Sequence, residues 1–244
     1  MDSSICTPED RALVKQGLGV TEAFASWPPE ALDPLIESAR VGRYSRGELL
    51  YSEAWAEPEI LTVVSGHLMS SRLHVDGSRA AIAILGPGWV AGVLRGLNLD
   101  DEPFYDYRAH DNAVVIHFPL HVLLNVLDAQ AFLWKSMVLV QFRQDRELFT
   151  TMVDQLAGSL RRRLAATIAR LAKLYGVNTS ETATAVSLRL RLSQEELAAM
   201  LQASRGAINR EMRALEQLGL IRIDHGTTVV GDLPALRELA GAGQ

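Results

Sequence analysis

Between about residue 41 and residue 119 the chain reads as short strands, with alternating apolar and polar positions or brief apolar runs separated by glycine turns. The predicted strands are Glu48–Tyr51, Ile60–Ser65, His67–His74, Arg79–Leu85, Trp89–Val93 and Ala113–Phe118. Between them stand Arg46-Gly47, Ser65-Gly66, Asp76-Gly77 and Gly86-Pro87-Gly88. Asp-Gly between two alternating runs signals a hairpin, because such a turn needs positive φ. Strands this short and this close predict a small antiparallel barrel or sandwich. Residues about 8–40 ahead of it read as a helical lead-in punctuated by Pro28, Pro29 and Pro34.

From about Leu120 to Leu174 the period becomes helical. Ala129 to Leu156 holds no proline or glycine. Steps of four and three residues pick out Val138, Phe142, Asp145, Phe149, Met152 and Leu156, an apolar seam of period 3.5 interrupted once. A helix packed on its own barrel would explain part of this, but length and period favour a two-chain coiled coil. Asp145 is then expected near solvent or paired with an arginine of the partner at position 143 or 146. A second helix is predicted over Ser159–Leu174, and Val177–Ala185, rich in Ser, Thr and Asn, reads as a surface loop.

The C-terminal segment is the most specific. Ser193 followed three residues later by Glu196 forms a capping box for a helix ending near Leu201. Gln202-Ala203 makes a tight connection, and Ser204 caps a second helix running to about Leu218. On that helix Ile208, Met212 and Leu215 share one face, leaving Arg205, Gly206, Asn209, Arg210 and Arg213 on the other. Gly219 closes it, and Leu220–Asp224, His225-Gly226 and Thr227–Val230 form a hairpin. Two short helices, a tight turn and a β-wing make a winged helix-turn-helix.

Charge sharpens this picture. The net charge is −5, yet residues 1–157 carry 12 Lys/Arg against 21 Asp/Glu, while residues 158–244 carry 12 against 8. An acidic body joined to an arginine-bearing tail fits a sensor coupled to a nucleic-acid reader. With 48% hydrophobic residues there is ample core. Cys6, the single cysteine, cannot form an internal disulfide or hold a four-cysteine metal site or an iron–sulfur cluster. The N-terminal sequence lacks the pattern of a secretory signal, and no apolar run reaches the roughly 20 residues of a membrane span. A cytoplasmic protein without a membrane partner is expected. No Walker loop, HExxH helix, nucleophile elbow or paired-carboxylate signature is present, so an enzyme is not expected.

A helix fits the major groove of B-DNA with its N-terminal side chains against base edges. Arg205, Asn209 and Arg210 are the candidate base readers: arginine suits guanine O6/N7 and asparagine suits adenine N6/N7. Ser193, Ser204, Arg213 and Thr227 are the candidate phosphate contacts.

The block SRGAINREMRALEQLGLI resembles the recognition helix and wing entry of the catabolite-activator (Crp/Fnr) family of bacterial transcription regulators. The block from Tyr44 to Gly92 resembles that family's cyclic-nucleotide-binding β-roll, with Leu85-Gly86-Pro87-Gly88 where the family has its glycine turn. The resemblance implies an α+β chain: an N-terminal antiparallel β-roll over 1–128, a long dimerisation helix over 129–158, and a winged helix-turn-helix over 159–244. It also implies a homodimer on double-stranded DNA with a near-palindromic operator, its reading helices roughly 34–36 Å apart, and contact with RNA polymerase.

Departures from the family pattern are equally informative. Gly206 stands where the family commonly has a glutamate that reads cytosine, and Gln202 where the inter-helix turn often has glycine. Cyclic-AMP binders of the family use Gly-Glu-Leu for the ribose and Arg-Ser for the phosphate; here Gly92-Val93-Leu94 and Pro103-Phe104 stand there. A buried phosphate without an arginine is costly, so cyclic AMP is not expected in the usual manner. The effector is an unknown small molecule or none, with Trp89, Gly92, Phe104 and Tyr107 the candidate pocket; the same aromatics could simply fill the roll. Haem would need an axial ligand, for which His67, His74, His110 and His117 qualify by residue type alone. The competing view keeps the roll as a ligand module and gives the winged helix a protein partner.

Overall fold

The computed structural model describes residues 7–52, 57–73, 79–93, 105–156, 158–178, 186–188, 192–224 and 227–241. They form two compact units, residues 1–147 and 148–244, each with its own core.

The first unit opens with α1 (Pro8–Val20), capped by Thr7, and α2 (Pro29–Ser38), with Pro29 in its first turn where a missing N–H costs nothing. Among the described residues eight strands follow: β1 (Arg40–Tyr44), β2 (Leu49–Ser52), β3 (Glu59–Ser65), β4 (Leu68–Leu73), β5 (Arg79–Leu85), β6 (Val90–Ala91), β7 (Tyr105–Ala109) and β8 (Ala113–Pro119). They make two antiparallel sheets, ordered β1-β8-β3-β6 and β2-β7-β4-β5. Register pairs Ile60 with Phe118 and Thr62 with Ile116, so these side chains share a face. That face meets Leu18, Phe24 and Trp27, Leu35 of α2, and the next helix, α3 (Leu120–Ala129), through Leu123 and Leu127.

Several expected strands are shortened for local reasons. His67 lies outside β4 because its amide donates to Asp111 Oδ1 (2.6 Å). Trp89–Val93 contributes only Val90 and Ala91: Trp89 N–H closes a turn onto the Gly86 carbonyl, and Gly92 has φ 92°. A Cβ at Gly92 would collide with the Glu59 carbonyl, which keeps this position glycine. The Asp76-Gly77 turn lies outside the described residues; β4 and β5, which flank it, do pair antiparallel. Strands β1 and β7 were not among the expected ones.

The helix expected from Ala129 begins instead at Trp134. Gln130 leaves the helical region (φ −134°, ψ 72°), a 3-10 turn spans Ala131–Leu133, and the chain bends by 113°. Bending puts Leu133 and Met137 into the core already occupied by Leu123 and Leu127. The long helix α4 then runs Trp134–Leu156. From it Gln144 reaches the edge strand β6, donating through Nε2 to the Val90 carbonyl (2.9 Å) and accepting the Val90 N–H (3.0 Å). No single helix among the described residues is long and apolar enough to cross a membrane.

The second unit is built on α5 (Leu160–Tyr175), capped by Ser159, with Leu164, Ile168 and Leu171 buried. Then come β9 (Gly176–Asn178), β10 (Val186–Leu188), α6 (Gln194–Leu201), α7 (Arg205–Gln217), β11 (Ile221–Asp224), β12 (Thr227–Val230) and α8 (Leu233–Ala240). Residues 177 and 178, expected in a loop, belong to β9, which completes the antiparallel sheet β11-β12-β10-β9 by pairing with β10. Helix α8, absent from the sequence expectation, is capped by Asp232 and buries Leu236.

Candidate nucleic-acid interface

Helix α6 starts as its sequence requires. Ser193 Oγ accepts the Glu196 N–H (3.1 Å) while Glu196 Oε2 accepts the Ser193 N–H (2.7 Å), satisfying two otherwise free donors. It ends at Gln202, whose φ of 50° and ψ of 48° are left-handed, the one non-glycine of that kind among the described residues. The expected strain is therefore present, about 1–2 kcal/mol for a residue with a Cβ. That corner allows α7 to start three residues later, at Arg205.

In α7, Ser204 Oγ accepts the Ala207 N–H (3.2 Å). Ile208, Met212 and Leu215 are buried, and this periodicity turns Arg205, Gly206, Arg210 and Arg213 to solvent. The side chains of Arg205 and Arg210 are 70% and 74% exposed. Gly206 has open space around it: a Cβ there would meet nothing within 4 Å.

The exposed face is less free than the sequence suggests. Arg205 Nη1 pairs with Glu195 Oε1 of α6 at 2.9 Å. Asn209 is half-buried, its Nδ2 donating to Gln194 Oε1 at 3.1 Å. Glu211, beside Arg210 on the helix, accepts from Arg161 of α5 (2.8 Å) and so ties α7 to the core. Sequence reasoning missed Gln194 and Glu195; their place in the first turn of the preceding helix was the available signal.

The wing follows directly. Gly219 adopts φ 71° and closes α7 with its N–H on the Glu216 carbonyl (2.9 Å). In the hairpin Asp224 pairs with Thr227, which is half-buried; His225 and Gly226 lie outside the described residues.

The family "Crp-like helix-turn-helix domain" matches residues 162–239. The chain is also 22% identical to the "Cyclic AMP receptor protein" of Thermus thermophilus, covering 89% of this chain and 95% of that one. It is 21% identical to the "CRP-like cAMP-activated global transcriptional regulator" of Mycobacterium tuberculosis, over 95% of this chain and 99% of that one. Among solved structures, a CooA variant from Carboxydothermus hydrogenoformans shares the fold with TM-score 0.66 at 20% identity, covering 87% and 94%. Residues 162–239 carry a Crp-like helix-turn-helix domain, and over most of its length the chain is similar to Crp-type regulators. It is a Crp-like transcription regulator with a helix-turn-helix DNA-binding domain, and like these relatives it is not an enzyme.

Two further surfaces were expected from the sequence. On α4, Val138, Phe142, Phe149, Met152 and Leu156 are all exposed in the single chain, from 41% at Val138 to 85% at Leu156. Leu139 and Val153 are exposed beside them. Asp145 is half-buried and accepts from Gln141 Nε2 (2.9 Å).

Of the candidate pocket residues, Trp89 is half-buried next to β6 in one sheet. Tyr107 is buried in the other, its ring stacked on Tyr51 (centroids 6.2 Å apart, 27° between planes). Phe104 lies outside the described residues, as do Leu94 and Pro103. His74 does too. His67 Nδ1 contacts Asp111 Oδ2 at 2.7 Å.

His117, fully buried, contacts Glu59 and Arg40 through Nδ1 (3.0 Å each) and Tyr44 through Nε2 (2.8 Å). Burial pushes the His117 ring below its ordinary value. Burial works to raise Glu59, but hydrogen bonds from His117 and Arg40 outweigh it and hold the carboxyl low. Among the described residues no three His, Cys, Asp or Glu side chains gather as a metal site.

Proposed function

We propose that two copies of this chain pair along α4 and present their two α7 helices to successive major grooves of a near-palindromic operator. Arg205, Asn209 and Arg210 address base edges, and Ser193, Ser204, Arg213 and Thr227 address phosphates. The observation that carries the reading is α7 itself: a helix anchored by Ile208, Met212 and Leu215 that leaves three arginines on its outer face. The α4 seam supports the pairing, because a helix exposing Phe142, Phe149, Met152 and Leu156 together has a large apolar surface to bury.

The operator-bound dimer acts in the cytoplasm and contacts RNA polymerase. It takes either no effector or a small molecule other than cyclic AMP bound in the family's usual manner. The absence of a carboxylate from Gly92-Val93-Leu94 and of an Arg-Ser pair at 103–104 supports this. Trp89, Gly92, Phe104 and Tyr107 are the proposed pocket, and any effector must favour one presentation of α7 over the other. The domain divisions proposed are 1–128, 129–158 and 159–244.

Selection of bound duplexes from a random pool tests this reading. A two-fold symmetric motif is expected, with affinity that falls steeply as salt is added, since phosphate counterions are released on binding. A protein that enriches no sequence would overturn it.

A further inference from the structure

Two neighbouring side chains of α6 each hold one proposed base reader of α7. Gln194 Oε1 takes the Asn209 amide, and Glu195 Oε1 takes the Arg205 guanidinium. Arg205 and Asn209 lie four residues apart, so both face the same way, one turn above the other. We propose that Gln194 and Glu195 are specificity-determining residues of the DNA interface. They fix the reading side chains before contact, and Glu195 disfavours every duplex on which Arg205 cannot replace its carboxylate with a matching base edge. The inference rests on the assignment of α7 as the reading helix.

The Arg205–Glu195 pair has little structural value. Its side chains are 70% and 60% exposed, and such pairs add almost nothing to stability. Its consequence is electrostatic: it cancels the charge that would otherwise draw Arg205 to any phosphate. As DNA approaches, Glu195 faces a polyanion and is repelled. Guanine, with O6 and N7 in the plane of the guanidinium, returns two hydrogen bonds for the ion pair broken. A non-cognate base returns fewer, and the acid remains uncompensated.

Gly206 makes this arrangement relevant. The position next to Arg205 carries no side chain and opens onto empty space, so α7 itself supplies no acid beside its first arginine. Glu195 supplies one from the neighbouring helix. Gln194 acts differently, using one Asn209 amide hydrogen and thereby fixing the plane in which the remaining donor and acceptor point.

The test uses the full chain and its selected duplex beside a scrambled duplex of equal length. Glu195→Gln is expected to bind the scrambled duplex about 3–10-fold more tightly while affinity for the selected one changes by less than about twofold. The base preference that Arg205→Ala abolishes should also broaden. Glu195→Asp, which keeps the charge, should retain discrimination. Gln194→Ala should widen preference only at the position that Asn209→Ala erases. If Glu195→Gln strengthens both duplexes equally, or changes neither, this proposal is overturned while the reading helix stands. A wild-type protein that selects no sequence removes the reading helix itself, and this proposal with it.

Discussion

Arg163 of α5 donates through Nη1 to the carbonyl of Leu201, the last residue of α6, at 3.2 Å, and to the Gln155 carbonyl at 3.3 Å. Both acceptors are helix-terminal carbonyls that lack an intrahelical partner. Replacing Arg163 with Met keeps much of the apolar stem and leaves both oxygens unsatisfied. The expected loss is about 1–3 kcal/mol of stability, read by chemical denaturation of the full chain. Hydrogen exchange should show α6 opening before α7.

Phe149→Asp places a charge in the proposed α4 seam. A monomer with little operator affinity is expected, because a single reading helix forfeits half of the symmetric site. Sizing by light scattering decides it: an intact dimer rejects the seam.

Arg205→Ala and Arg213→Ala should fail in different ways. The first should cost about 1–3 kcal/mol at sites carrying its cognate base pair and far less elsewhere. The second should weaken all duplexes alike and reduce the salt slope by about one. Titrations on matched and mismatched duplexes at several salt concentrations separate the two.

Gln202→Gly should relieve the left-handed corner between α6 and α7. Stabilisation of about 1 kcal/mol is expected, partly offset by the greater freedom of glycine in the unfolded chain. A higher denaturation midpoint with unchanged slope checks it.

The cluster of His117, Glu59, Arg40 and Tyr44 sets an acid limit on the first unit. His117 is lowered by burial, so the unfolded chain takes up its proton first as pH falls. Its contribution is complete above the ordinary histidine range and is lost as pH drops through that range toward the folded value. Glu59, also lowered, adds loss in the same direction at more acid pH, from the ordinary carboxylate range downward. Melting temperature should therefore fall as pH drops from about 7 to 5, and His117→Gln should flatten the first part of that fall.

Much of the second unit was legible because its signals are local. Ser193 and Glu196 cap within one turn, Ser204 caps α7, and Ile208, Met212 and Leu215 repeat at helical spacing. The β-strands of the roll were legible where apolar runs ended at glycine. Strand β7, Tyr105–Ala109, was not, because its register comes from pairing with β2 and β4 rather than from any pattern of its own. The start of α4 was displaced because Leu133 gains burial only through a bend that brings it onto α3, a tertiary effect. At the interface, residue types located Arg205 and Asn209. Their holders, Gln194 and Glu195, are neighbours only after the left-handed corner folds α6 against α7.

Gln144 closes the border of a sheet with a single amide. Strand β6 is two residues long, and beyond it the Val90 peptide finds its two partners on α4 rather than on another strand. Such a seal is economical and brittle. Breaking it exposes a raw β-border to any extended peptide nearby and at once slackens the fastening of the helix that carries the apolar seam. Self-association through stray strand addition and failure of pairing along α4 would then arise together, from the loss of one side chain.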